Sequence, residues 1–529
     1  MRFAGLIGAV LICVLAVLGA VLLGGIGFIV VAAIFGAIAL LGVRDLVQTR
    51  HSILRNYPIL GHMRFALEKL RPELQQYFIE RNYDGRPYDR DTRTGIYERA
   101  KGIQDEQAYG TERDVAEPGY EWLLQSIHSS DPPDEPPRVL IGGPECTQPY
   151  EMALLNVSAM SFGALSAQAL TALNRGAAKG GFAHDTGEGG LTDYHLNGAD
   201  IVWELGTGYF GARTKDGGFD AEQFEKKAAH PQVKLVSLKL SQGAKPGIGG
   251  VLPGGKVTEE IAKARAVPKG QTCVSPPGHK VFDTPRELVR FIARMRELAG
   301  GKPAGFKLCI GLRHEFIAIC KAMVEEGTGP DFIIVDGSEG GTGAAPAEYS
   351  DHVGVPLTEG LMTVHNTLVG FGLRDRIRIG ASGKVATGSD IVKRLAQGAD
   401  YTNAARAMMQ ATGCIQSQRC NTNQCPVGVA TQDPRRARAL DVEDKTERVH
   451  RYQGATVKEA QRIIASMGLS SPGEVSPHHL VRRVNHAEAM SYAELYDWLE
   501  PGALLDEPPD SWRVDWDRAD PDHFAPKIA

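Results

Sequence analysis

The sequence predicts an α/β protein, a (β/α)8 TIM barrel with an N-terminal transmembrane helical hairpin. Three observations carry that expectation. Phe3 to Val43 contain no charged side chain. From about residue 150 to 470, short apolar runs alternate with runs of helical periodicity, the pattern of parallel strands joined by crossover helices. Several strand-like runs also end in glycine-rich loops, which a barrel collects at one face.

The uncharged stretch is 41 residues long, enough for two spans of roughly 20. Gly24-Gly25 supplies a turn between helices at about 3–22 and 26–43. A cleaved signal peptide would have an apolar core of only about 7–15 residues. Arg2 precedes the hairpin and Arg44, Arg50 and Arg55 follow it. Basic residues at both ends place both ends, and the body behind them, on the cytoplasmic side of an inner membrane. The expected organisation is a hairpin at 1–45, a juxtamembrane helix and N-terminal extension at 46–149, the barrel at 150–470 and a C-terminal extension at 471–529. Within the second segment, Met63, Ala66, Leu67 and Leu70 recur at helical spacing, so a helix is expected over about 62–81. It would lie on the headgroups or pack on the body. Residues 82–135 read as polar loop.

Strands are expected at Leu154–Met160, Leu235–Leu240, Gly305–Ile310, Phe332–Val335, Ile377–Ile379 and Tyr401–Asn403. The intervening helices are Leu165–Lys179, Thr258–Arg265, Pro285–Leu298, Glu315–Glu326, Thr358–Val369 and Ser389–Gln397. A doubly wound sheet would place G-x-G-x-x-G after its first strand, where this chain has Met160-Ser161-Phe162-Gly163-Ala164. The glycine-rich loops are Thr186–Gly190, Gly243–Gly247, Gly340–Ala344 and Ala381–Lys384. At the C-terminal face of a barrel such loops bring backbone N–H groups close to a phosphate. A phosphorylated cofactor is therefore expected. Nucleic acid is not an expected partner, because a net charge of −5 and a pI near 6.3 leave no basic surplus.

Cys414, Cys420 and Cys425 stand five and four residues apart, and Pro426 follows the last. Three clustered thiols ending in Cys-Pro suit an iron–sulfur cluster with one ligand per iron. Zinc would need a fourth ligand, and no histidine lies nearby in the sequence. Cys13, Cys146, Cys273, Cys309 and Cys320 are scattered, and most read as small buried apolar residues. A cluster beside a phosphorylated cofactor implies electron transfer. Flavin exchanges single electrons as well as pairs, whereas nicotinamide does not.

These motifs together resemble the synthase domain of glutamate synthase. Ser158–Ser166, Thr186–Gly190, Gln242–Gly247, Gly340–Ala344 and the Cys414/Cys420/Cys425 loop occur in the family's order across about 150–435. The chain as a whole looks like the short, membrane-anchored, FMN-binding members of the glutamate synthase family. The resemblance implies a barrel, FMN and a 3Fe-4S cluster held by Cys414, Cys420 and Cys425 in the 414–425 loop. It places Met160, Ser161 and Lys307 beside the flavin ring. It also places Gly340, Gly341, Gly383, Lys384, Ala405 and Arg406 near the flavin phosphate. Glu188, Lys239, Gln242, Lys245 and Arg265 match positions around a 2-oxo-acid site. A dicarboxylate needs cations and an imine needs a placed proton donor. Lys245 is expected to serve as that donor or to bind a substrate carboxylate, with Glu188 and Gln242 also in the catalytic set.

Neither the family's glutaminase domain nor a nicotinamide-binding domain has a counterpart in the sequence. Electrons are therefore expected from a separate donor (ferredoxin, a reductase or a quinol) and ammonia from a separate source. The sequence departs from the family where Ile248 and Val251 replace Glu and Gln, and where Gly278-His279-Lys280 replaces His-His-Asp. Loss of polar contacts removes discriminating interactions. The expected reaction is reductive amination of 2-oxoglutarate to glutamate. The alternative is the same redox core acting on another amino acid or amine, N-methylglutamate-like or quinone-linked. A non-catalytic flavin or metabolite sensor is a third reading, opposed by the retained cysteines and Lys245.

Overall fold

A computed structural model describes residues 3–103 and 106–526. The chain divides into two compact units, Met1–Arg90 and Asp91–Ala529.

In the first unit, Ala4–Leu22 and Ile26–Val47 are two helices long and apolar enough to cross a membrane. Gly24 and Gly25 turn between them at φ of 71° and 105°, a backbone that side chains disfavour. The pair packs closely. A Cβ on Gly19 would lie 2.7 Å from the Phe28 ring, and the Cys13 thiol donates to the Ala32 carbonyl at 3.4 Å. The second helix runs past the expected end at Val43, through Arg44 and Asp45, to Val47. Asp45 is buried, and its carboxylate accepts from the Ile59 N–H at 2.9 Å and from His62 Nε2 at 2.9 Å. The next long helix, Gly61–Leu74, continues into one wider turn at Gln75–Ile79.

The second unit is a closed barrel of eight parallel strands in sequential order. They are β1 (Leu155–Val157), β2 (His184–Asp185), β3 (Ile201–Leu205), β4 (Val233–Lys239), β5 (Ala304–Leu308), β6 (Phe332–Asp336), β7 (Arg378–Ser382) and β8 (Tyr401–Ala404). Pairing of β4 with β5 and of β8 with β1 closes the ring. The crossover helices start where the sequence offers caps. Ser166 accepts from the Ala169 N–H, Thr284 precedes Pro285, and Thr387 with Asp390 forms a capping box. The helix after β8 is followed by the cysteine loop and then by Val442–Ser466, which packs against Ala167–Gly180 and so covers the seam beside β1.

Two strands escape the sequence reading. His184–Asp185 is only two residues long and polar, and Ile201–Leu205 is buried throughout, so neither alternates apolar with polar. Residues 82–135 are not wholly loop, since Arg90–Lys101 is helical and Glu121–Leu123 pairs with Leu480–Arg483. The C-terminal extension forms a helix at Asp510–Arg518. It buries Trp512, and Asp515 meets Arg313 at 2.6 Å. An insertion between β4 and β5 carries the two-stranded pair Val251–Leu252 and Cys273–Val274 and the helix Glu259–Arg265.

Candidate active site at the barrel mouth

The C-terminal ends of the strands bring the expected residues into three adjoining groups. The first is a buried charge cluster. Lys239 ends β4, and its Nζ lies 3.1 Å from Glu188 Oε1 while also donating to the Gln242 amide oxygen. Burial would raise the Glu188 carboxyl, but Lys239, Lys245 and Arg265 hold it below its ordinary value. Glu188 fits only because two glycines flank it. A Cβ on Gly250 would fall 2.0 Å from Oε1 and one on Gly206 2.8 Å from Cβ of Glu188. Lys245 is buried and donates to the Ala344 carbonyl at 3.1 Å. Burial lowers its pKa to about 8, against the opposing pull of Glu188. Arg265 donates to Ser161 Oγ at 3.3 Å and to the Phe162 carbonyl at 3.0 Å, and lies over the Phe210 ring. One carboxylate thus faces three cations, an arrangement that attracts anions.

Below this cluster, Lys307 of β5 pairs with Glu204 of β3 inside the barrel. Burial opposes a charge on Lys307, but Glu204, Asp185 and Asp336 push its pKa above the ordinary lysine value. Asp185 behaves oppositely, because burial and then the Glu204 charge raise its carboxyl. Its Oδ1 accepts from the Gly187 N–H at 2.9 Å, while Oδ2 is buried with no hydrogen-bond partner. Glu204 and Asp185 were not among the expected site residues. The one sign of them in the sequence was an acid within each otherwise buried strand.

The second group gathers over β6, β7 and β8. Arg406 donates to the Glu339 carbonyl at 2.6 Å, and a Cβ on Gly341 would lie 3.0 Å from its Cδ. Gly383 and Lys384 turn with φ of 152° and 50°. Ala405 precedes the helix Arg406–Ala411. Glycine backbone and one guanidinium at adjacent strand ends match what a flavin phosphate requires. The unpartnered Asp185 oxygen adds a buried polar atom for a ring to meet.

The third group is the cysteine loop. Burial pushes the Cys414 thiol up to about 12, and the Cys420 and Cys425 sulfurs add to it, so the three are electrostatic neighbours. The Gln416 N–H points at Cys414 Sγ at 3.5 Å. Gln416, Gln418 and Asn423 are left-handed at 56°, 56° and 63°, and bend the loop tightly. Among the described residues no three His, Cys, Asp or Glu side chains converge on a single metal ion. Three thiols that each face a separate iron need not converge, so the donor set fits a three-iron cluster.

A lattice of polar contacts, unforeseen from the sequence, ties the groups together. Lys256 is buried and donates to the Ala164 carbonyl at 2.9 Å and to the Cys420 carbonyl at 3.2 Å. Gln432 donates to the carbonyls of Gly163 at 3.3 Å and Leu165 at 2.6 Å. The loop after β1 is therefore clasped by the insertion on one side and the cysteine loop on the other. His279 donates from Nε2 to the Lys239 carbonyl at 2.9 Å and steadies the end of β4. Gly278 beside it is exposed, and Ile248 and Val251 are half-buried next to Gly250.

A closed parallel barrel with a cationic mouth and a thiol-bearing loop defines the general class. Comparison with known proteins makes it specific. The family described as a conserved region in glutamate synthase matches residues 140–470. The glutamate synthase large subunit-like protein YerD of Bacillus subtilis is 38% identical over 482 residues, covering 83% of this chain and 91% of that one. The archaeal glutamate synthase (NADPH) of Methanocaldococcus jannaschii is 34% identical over 316 residues, covering 60% of this chain and 59% of that one. The glutamate synthase (NADPH) large chain of Azospirillum brasilense is 31% identical over 356 residues, of which this chain spans 22%. The chain belongs to the glutamate synthase family of oxidoreductases.

Proposed function

We propose that the protein is an FMN- and 3Fe-4S-dependent oxidoreductase that reductively aminates 2-oxoglutarate to glutamate. Ammonia and electrons come from other molecules, and the hairpin holds the barrel on the cytoplasmic face of the inner membrane. The observation that carries this reading is the charge count at the mouth. Lys239, Lys245 and Arg265 surround the single carboxylate of Glu188. The two positive charges left over match the two carboxylates of a 2-oxo diacid.

Met160, Ser161, Lys307, Gly340, Gly341, Gly383, Lys384, Ala405 and Arg406 would hold FMN, and Cys414, Cys420 and Cys425 the cluster. FMN, when bound, supplies a hydride to an imine carbon and accepts single electrons from an iron–sulfur centre. The chain's own residues do the rest. Arg265 and Lys239 bind carboxylate. Lys245, poised near neutral pH, binds the second carboxylate or delivers a proton to nitrogen. Glu188 and Gln242 orient Lys239. An electron donor is required, with ferredoxin, a reductase and a quinol as the candidates.

A titration of the oxidised holoprotein, followed by flavin absorbance, tests the charge count. 2-Oxoglutarate should bind at least tenfold tighter than pyruvate, and Lys245→Met or Arg265→Met should each weaken it by about 1.5–3 kcal/mol. Equal affinity for the mono- and diacid would sink the reading.

A second reading is favoured by Ile248 and Val251. They make the wall beside Gly250 apolar where the family pattern has polar side chains. That wall would accept an N-alkyl group, and the same core would then oxidise an N-methylglutamate-like amine, passing electrons outward.

A further inference from the structure

We infer that the helix Gly61–Leu74, with the turn that follows it, lies in the headgroup layer of an anionic lipid leaflet. The inference rests on the hairpin being membrane-spanning.

Leu60, Met63, Leu67, Leu70 and Leu74 form one row at alternating spacings of three and four residues. The row is uncovered, with Met63, Leu67 and Leu70 exposed to 63%, 56% and 54%. Phe78, in the following turn, is 82% exposed. A soluble helix does not leave such a row bare without a partner. Position selects the partner. Asp45, at the end of the second apolar helix, accepts hydrogen bonds from the Ile59 N–H and from His62. The helix therefore starts at the edge of the apolar span. Charge selects the same partner. Residues 44–81 hold seven Lys and Arg against four Asp and Glu, a net +3 within a chain of net −5. Arg64 and Arg71 stand one turn beyond Leu60 and Leu67, so they flank the apolar row, and Lys69 lies on the far side. Basic residues clustered just inside a span, on an amphipathic helix, favour anionic headgroups. A groove of about 640 Å³ between this helix and Ser52–Asn56, lined by Ile53, Tyr57, Leu60, Met63 and Leu67, has room for acyl-chain carbons.

The test uses the full chain in vesicles of phosphatidylcholine with phosphatidylglycerol. A benzophenone-bearing amino acid replaces Leu67, Leu70, Lys69 or, within the first span, Leu15. Photolysis followed by mass analysis should give lipid adducts at Leu67, Leu70 and Leu15, with several-fold less at Lys69. Replacing phosphatidylglycerol by phosphatidylcholine, or combining Arg64→Gln with Arg71→Gln, should reduce the Leu67 adduct several-fold and leave the Leu15 adduct unchanged. Adducts from Leu67 to a second copy or to residues 91–529 would overturn the inference. Equal lipid labelling at Leu67 and Lys69 would overturn it too. Labelling at Leu15 without labelling at Leu67 would refute the helix placement alone, whereas no lipid adduct at Leu15 would refute the membrane reading beneath it.

Discussion

Lys245 and Lys256 are both buried lysines whose pKa burial lowers to about 8, and their surroundings give them different work. Lys245 faces Glu188 at the cationic mouth, so its charge should matter to an anionic substrate. It is protonated below pH 8 and loses the proton above. We therefore expect kcat/KM for the 2-oxo acid to fall about tenfold per pH unit above 8, and Lys245→Met to abolish that limb while leaving FMN bound. A pH profile unchanged by the substitution would contradict the assignment. Lys256 points at two carbonyls, one on the loop beside the expected flavin and one on Cys420. Replacing it with Met leaves both carbonyls without a donor and removes a positive charge beside the thiols. The cluster's EPR signal should then show a midpoint shifted to lower potential, and Lys256→Arg should restore it in part. An unmoved midpoint would mean that Lys256 serves only to pack the loop.

At the scale of elements, the mouth and the floor of the barrel divide chemistry from stability. On the floor, Asp331 is fully buried. It pairs with Arg296 at 2.8 Å and accepts from the N–H groups of Gly143 at 2.6 Å and Ala304 at 2.8 Å. Asp331→Ala would leave two buried amides without an acceptor and the Arg296 guanidinium with only Glu145 and the Gly329 carbonyl, so denaturant unfolding should show a loss of about 3 kcal/mol. At the mouth, Gly250→Ala should behave differently. Its Cβ would meet Glu188 Oε1 at 2.0 Å, so Glu188 must move off Lys239, and KM should rise by roughly tenfold or more with the fold retained. Legibility in the sequence follows the same division. Of the six strands read correctly, β1, β4 and β7 are followed by helices that start with a side-chain cap. β2 is only two polar residues long, and β3 has its apolar run broken by Glu204, whose carboxylate pairs with Lys307 inside the barrel. The glycines and cations at the mouth were visible as motifs. Lys256 and Gln432 were not, because their partners are backbone carbonyls 92 and 267 residues away and no local pattern announces a long-range carbonyl contact.

Across the whole molecule, the family assignment covers the barrel and says little of the rest. YerD is matched over nearly all its length, whereas the archaeal and large-chain relatives extend well beyond the matched region. Two helices long and apolar enough to cross a membrane precede the barrel, and on the proposed reading they anchor it. Membranes washed with alkaline carbonate should retain the full chain, and release into the wash would contradict the membrane-spanning reading.

On the proposed function, this mouth joins ammonia to a 2-oxo diacid at the expense of reduced flavin. The direct measurement takes anaerobic, detergent-solubilised holoprotein with its flavin chemically reduced. 2-Oxoglutarate and ammonium are then added while flavin absorbance and glutamate are followed together. Reoxidation is expected with one glutamate formed per flavin, and none when either substrate is omitted. A flavin that stays reduced, in protein shown to hold both FMN and the cluster, would contradict it and move the substrate to the amines that the Ile248 and Val251 wall would admit.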